Sequence, residues 1–217
     1  MGPIQSDGCT KLYFSDLYIS SYTPMLSTLI ELHKLSTQAL DMPSMLLVVL
    51  PDDDMPCSLQ EMHIVQTICL LVETLFWKKA TSNSTLEHLK HHWFAHISSH
   101  GILETGQLPT VEFAFLSACH SAEITEGSIL NKGLHLAAAL QYSGFWSVVG
   151  TMWAMVDKDR PTLTESIYQS VFSDKWQGVP CYKRTAEALQ DSVRSLREKK
   201  KKEMTLERWV NYVHYGA

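Results

Sequence analysis

Long apolar runs are missing from this 217-residue sequence. The strongest, Met45–Leu50, falls far short of the ~20 residues a helix needs to cross a bilayer, so no membrane partner is expected. Paired cysteine spacing is missing as well. The five cysteines (Cys9, Cys57, Cys69, Cys119 and Cys181) form no CxxC pair, which argues against a zinc ribbon or a disulfide framework. There is no basic excess: the net charge is −5 and the pI about 6.0, so nucleic acid is not an expected partner. The one lysine run, Lys199–Lys202 between Glu198 and Glu203, fits a solvated helix end, where positive charge complements the dipole. Met1–Asp7 lacks a basic start followed by an apolar stretch. A soluble protein of the cytoplasm without a secretory leader is therefore the expectation.

What is present is a sequence of ordinary globular composition, 45% hydrophobic and 19% charged, whose length suits one domain over 1–217. Short runs rich in Val, Leu and Phe alternate with longer segments of helical period, the pattern of a parallel sheet covered by helices. Strands are expected at Met45–Leu50, Trp93–Ser99, Glu112–Ser117 and Phe145–Thr151, with a final edge strand in Glu207–Tyr215. Helices are expected at Met25–Leu40, Ser58–Glu73, Ser84–His91, Asn131–Tyr142, Pro161–Phe172 and Tyr182–Lys199. Ser58 with Glu61 has capping-box spacing, and Lys11–Ile19 has the character of a strand or hairpin.

In an open parallel sheet, ligands sit beyond the carboxyl ends of the strands. His100 and Cys119 each follow the end of one such strand. A cysteine nucleophile needs a base to take its proton, because a free thiol with pKa near ~8.5 is mostly protonated at neutral pH. Gly101 lets the backbone approach a substrate carbonyl, and the Cys119 N–H is a second candidate oxyanion donor. On the residues alone, the bland alternative stays open: a cysteine at a strand end is more often core packing than a nucleophile. His88, His91, His92 and His96 have spacings that would suit a metal site on one continuous helix, but a strand is expected to begin near Trp93, so they should diverge and no metal or other cofactor is expected.

The order of motifs narrows this. His96-Ile-Ser-Ser-His100-Gly101, then Phe113-Ala-Phe-Leu-Ser-Ala-Cys119, then Ser147-Val-Val-Gly-Thr-Met-Trp153 with Asp157, resembles the CHAT domains of the caspase- and separase-like peptidase clan. Ser20–Pro24, Leu134–Gln141 and Trp209–Gly216 match in the same order. The resemblance implies a three-layer caspase-like α/β fold with a mostly parallel central sheet and helices on both faces. It implies His100 as general base and acid, Cys119 as nucleophile, and Gly101 and Cys119 as oxyanion donors. It places Asp157 near the pocket for the residue before the scissile bond, with Trp153 lining it; the plain alternatives are a helix cap and core packing. A protein or peptide substrate is implied, together with a regulatory partner, since CHAT domains often follow TPR-type helical repeats. One departure stands out. The connection through Ile102–Thr110, with Gly106 and Pro109, is short for the family, which keeps open a pseudo-protease or interaction module of the same fold.

Overall fold

A run of large apolar residues is stable as a strand only when both of its faces are covered. Ser44–Val49 is such a strand, β1: Met45, Leu47 and Val49 enter one core and Leu46 and Val48 the other. The computed structural model describes residues 13–23, 26–27, 30, 44–50, 56–98, 111–117, 140–141, 144–153, 155–173, 181–199 and 205–216. Within them, β1 is followed by α1 (Ser58–Ile68), β2 (Leu71–Phe76), α2 (Ser82–Leu89), β3 (Phe94–Ser98), β4 (Val111–Leu116) and β5 (Phe145–Thr151). Then come α3 (Arg160–Val171), α4 (Cys181–Lys199), α5 (Leu206–Trp209) and β6 (Tyr212–Gly216).

The strands form one sheet in the order β2-β1-β3-β4-β5-β6. The first five are mutually parallel and β6 runs antiparallel to β5. On one face, Phe94, Phe113, Phe115 and Val149 pack with Val65 of α1, Leu163, Ile167 and Tyr168 of α3, and Ala188, Leu189 and Leu196 of α4. On the other, Ala95, Ile97, Ala114, Leu116 and Val148 pack with Leu89 of α2 and with helical Leu140. The fold is the expected three-layer α/β arrangement.

Three expectations need correction. The helix expected over Ser58–Glu73 ends at Ile68, and β2 follows. Cys69 is extended (φ −94°, ψ 129°) while its N–H still closes the last turn on Val65 O. An edge strand buries little (Leu75 is the one wholly buried side chain of β2), so it carries no clean apolar alternation. Second, Glu207 belongs to the short helix α5, and the closing strand is confined to Tyr212–Gly216. Third, the described part of Lys11–Ile19 contains a 3-10 turn, Phe14–Asp16, in place of a hairpin. The chain reaches the sheet at Tyr22, which bridges Tyr215 and is held by Tyr22 N–H to His214 O and Gly216 N–H to Tyr22 O, both 2.9 Å. Gly216 has φ +142°, and a Cβ there would lie 2.3 Å from Trp146 O, so this close approach requires glycine. Most of the Met25–Leu40 and Asn131–Tyr142 helices lies outside the described residues.

Candidate functional site

The central pair β3 and β4 runs in parallel register, with His96 opposite Phe115 and Ile97 opposite Leu116. At its carboxyl end Ser117 N–H donates to Ile97 O at 2.9 Å, and Leu50 N–H donates to Ser98 O at 3.0 Å. Ser98 and Ser117 are fully buried, and their hydroxyls turn towards one carboxylate, Glu61 of α1.

Glu61 is itself 0% exposed, and burying an ion costs several kcal/mol unless its lone pairs are met. They are met closely. Arg160 Nη2 donates to Oε2 at 2.5 Å, Thr164 Oγ1 to Oε1 at 2.7 Å, and Ser117 Oγ also donates to Oε1. Ser98 Oγ reaches Oε2 at 3.4 Å. The same Nη2 donates to Ser98 Oγ at 2.8 Å, and Arg160 Nε to Ser117 Oγ at 3.3 Å. Arg160 is 2% exposed. Burial pushes the Glu61 carboxyl above its usual range; Arg160 and the hydroxyls pull against that. Four elements, α1, β3, β4 and α3, thus meet at one buried charged centre beneath the carboxyl end of the sheet.

Asp157 reaches the same centre from the rim. Its Oδ1 accepts from Arg160 Nη1 at 2.9 Å and its Oδ2 from the Cys57 N–H at 3.2 Å, with about a quarter of the side chain exposed. It lies in a 3-10 turn, Asp157–Asp159, and the helix cap position of α3 belongs to Asp159. Asp159 is buried and paired with Arg208 Nη2 at 2.5 Å. Trp153 follows β5. Its backbone is tied to Asn211 through Trp153 N–H to Oδ1 at 2.8 Å and Asn211 Nδ2 to Trp153 O at 2.9 Å. Its indole N–H donates to Glu207 O at 3.1 Å, and the ring stays 36% exposed, so it is a surface aromatic and not core packing.

His100, Gly101 and Cys119 lie outside the described residues. In sequence, His100 and Cys119 each stand two positions beyond one of the two buried serines. Cys57 and Cys69 are poor nucleophiles. Burial, and then Asp157, push the Cys57 thiol up to about 11, and burial pushes Cys69 to about 12. Of the spaced histidines, two converge on one acid and a third is buried elsewhere. His88 Nδ1 and His92 Nε2 meet Glu73 of β2 at 2.8 and 3.2 Å. His96 is buried on β3, 2.9 Å from Tyr168 Oη and stacked on Phe115. Burial, aided by the Arg160 charge, drives His96 down to about 3, which keeps it neutral. Among the described residues no three His, Cys, Asp or Glu side chains gather as a metal site, and no helix is long and apolar enough to cross a membrane.

Sequence reasoning missed the charged centre. Capping-box spacing assigned Glu61 to the helix start, whereas Cys57 occupies the cap position without a side-chain bond and Glu61 faces inward. The available signal was phase: Glu61 is four residues before Val65, on the buried stripe of α1. Arg160, directly before Pro161, gave no comparable signal because its partners lie on three other elements.

The chain is matched by the model of the CHAT domain over residues 103–217. No curated protein matches the sequence. Among solved structures it is similar to separase in the Saccharomyces cerevisiae separase–securin complex, with 17% identity and a TM-score of 0.58 over 90% of this chain and 14% of that one. It is also similar to the Arg-specific cysteine proteinase gingipain R, RgpB, with 10% identity and a TM-score of 0.57 over 88% of this chain and 51% of that one. RgpB of Porphyromonas gingivalis in complex with its pro-domain gives a TM-score of 0.55 at 9% identity, over 80% of this chain and 47% of that one. The chain therefore spans 14% of the separase chain and about half of the gingipain chain. At these identities the likeness shows a shared fold, that of caspase-like cysteine peptidases. With the family model matching more than half of its length, the chain belongs to the CHAT domain family.

Proposed function

We propose that this chain is a cysteine endopeptidase working through His100 and Cys119. The observation that carries the reading is the pairing of β3 and β4, whose ends, Ser98 and Ser117, share one buried carboxylate two residues short of the two groups in sequence. In the reaction His100 removes the Cys119 thiol proton, and the thiolate attacks the scissile carbonyl. The N–H groups of Gly101 and Cys119 hold the oxyanion. His100 then protonates the departing amine, leaving an acyl-enzyme. Water, deprotonated by His100, hydrolyses the thioester and returns the thiol. Asp157, partly exposed and tied to the charged centre, and Trp153, exposed at the end of β5, flank the substrate pocket.

The substrate is a protein or peptide, and the reading includes control by a protein partner, as the complex of separase with securin illustrates for that protein. It also includes action within one domain inside the cell. The test is a set of peptidyl acyloxymethyl ketones with varied terminal residues, read by intact mass. A single adduct in the wild type, absent from Cys119→Ala and His100→Ala, is expected. The high thiol pKa values of Cys57 and Cys69 make competing adducts there unexpected. No adduct in folded protein would instead favour an interaction module of the same fold, a reading that the short connection between β3 and β4, residues 99–110, supports.

A further inference from the structure

A buried ion pair is a poor way to gain stability. Replacing one by apolar residues of similar size is often neutral or stabilising, so its place in a fold says more than its presence. Glu61 and Arg160 are separated by 99 positions in sequence and are 0% and 2% exposed. The centre they form binds Ser98, which ends β3, and Ser117, which directly follows β4, each through a hydroxyl that contacts both charges. Around it the two faces of the sheet are packed mainly by aliphatic and aromatic side chains; the buried Ser147–His214 contact between β5 and β6, 2.8 Å, joins uncharged groups, and His96 beside the centre is held neutral by burial. Thr164, from the first turns of α3, anchors the carboxylate from below, and Asp157 holds the guanidinium from the rim side. Each of the two charges is thus fixed by more than one element, and the serines receive a fixed reference.

We propose that the Glu61–Arg160 pair, acting through Ser98 and Ser117, is the positioning element that sets the spacing of the strand ends leading to His100 and Cys119. These are positioning residues: none is required to touch substrate. The inference rests on the peptidase reading above. Its physical basis is the steep dependence of proton transfer on geometry, where a misplacement of about 1 Å costs on the order of 100-fold.

The test follows the ionisation of Cys119 in the full chain, because a merely structural role would not move it. Carboxamidomethylation by iodoacetamide is measured across pH on the Cys119 peptide by mass spectrometry, alongside the melting temperature. In the wild type the thiol is expected to react as one ionising well below the usual ~8.5, and His100→Ala to return it there. Arg160→Met is expected to melt early, so the charge-neutral pair Ser98→Ala/Ser117→Ala carries the test, with Ser117→Ala alone as the milder form. In these variants the apparent thiol pKa should rise by about one unit or more, with a reaction rate near pH 6.5 lower by roughly tenfold. A low, His100-dependent pKa in the wild type that is unchanged in folded serine variants overturns the positioning role and leaves the dyad standing. An ordinary thiol in the wild type, indifferent to His100→Ala, overturns both.

Discussion

Strands β2 and β3 are both parallel neighbours of β1, yet they are different objects. Every residue of β3 is buried, while β2 alternates between exposed and half-buried positions with one wholly buried side chain, Leu75. Each carries polar groups, but in opposite settings. On β2, Glu73 sits half in solvent between His88 and His92. On β3, His96 and Ser98 lie at 0% exposure with designated partners on α1 and α3. The difference follows from position in the sheet: a central strand has a helix on each face, whereas an edge strand has one neighbour and leaves its other side to solvent. Polar residues placed inside a central strand are costly, and Ser98 and Ser117 stand at the carboxyl ends of β3 and β4, where parallel sheets put their chemistry.

The sharpest way to break this contrast is at the charged centre. Arg160→Met strips the partner from a fully buried Glu61 and is expected to cost about 3–5 kcal/mol in urea unfolding. A cost below about 1 kcal/mol would mean the carboxyl is protonated in the native state and that the pair is not ionic. Packing comes next. Ile97→Ala in β3, at a 4% exposed site, should lose about 2–5 kcal/mol by the same measurement. Leu71→Ala in β2, at 44% exposure, should stay within about 0.5 kcal/mol. Equal effects at the two sites would erase the distinction between the strands.

Acidification tests the two buried histidines, His96 and His214. Burial lowers His96 to about 3 and His214 to about 4 in the folded protein, while in the unfolded chain both titrate near 6.5. Their neutral forms therefore contribute stability that is fully present above about pH 6.5 and is lost as pH falls through the interval down to the folded values. Each takes away up to about 1.4 kcal/mol per pH unit there. Urea midpoints should drop between about pH 7 and about pH 5; a flat profile over that window would contradict the two neutral core histidines. The smallest expected effect is at the exposed cluster of β2, where Glu73→Gln should shift stability by no more than about 1 kcal/mol and lose even that in high salt.

The same contrast explains what could be read in advance. β1, β3, β4 and β5 were legible because strands buried on both faces must be continuous apolar runs, and Phe145–Thr151 was placed to the residue. β2 was hidden because Ile68-Cys-Leu-Leu-Val72 suits the buried stripe of a helix as well as an edge strand, and only pairing with β1 decides between them. The ordered motifs identified the family, and Asp157 and Trp153 were singled out, although their settings were not foreseen. Glu61 and Arg160 were illegible as a pair.

By itself, then, the sequence determined the fold class and the family, and it supplied the residues proposed as a dyad, because apolar periodicity and motif order are properties written along the chain. Only the tertiary structure decided that a glutamate in capping-box spacing turns inward, that an arginine 99 positions away answers it, and that two serines at the ends of adjacent strands close the network between them. The energy of a buried charge depends on partners and solvent exclusion, and both are set by neighbours in space, not by neighbours in sequence.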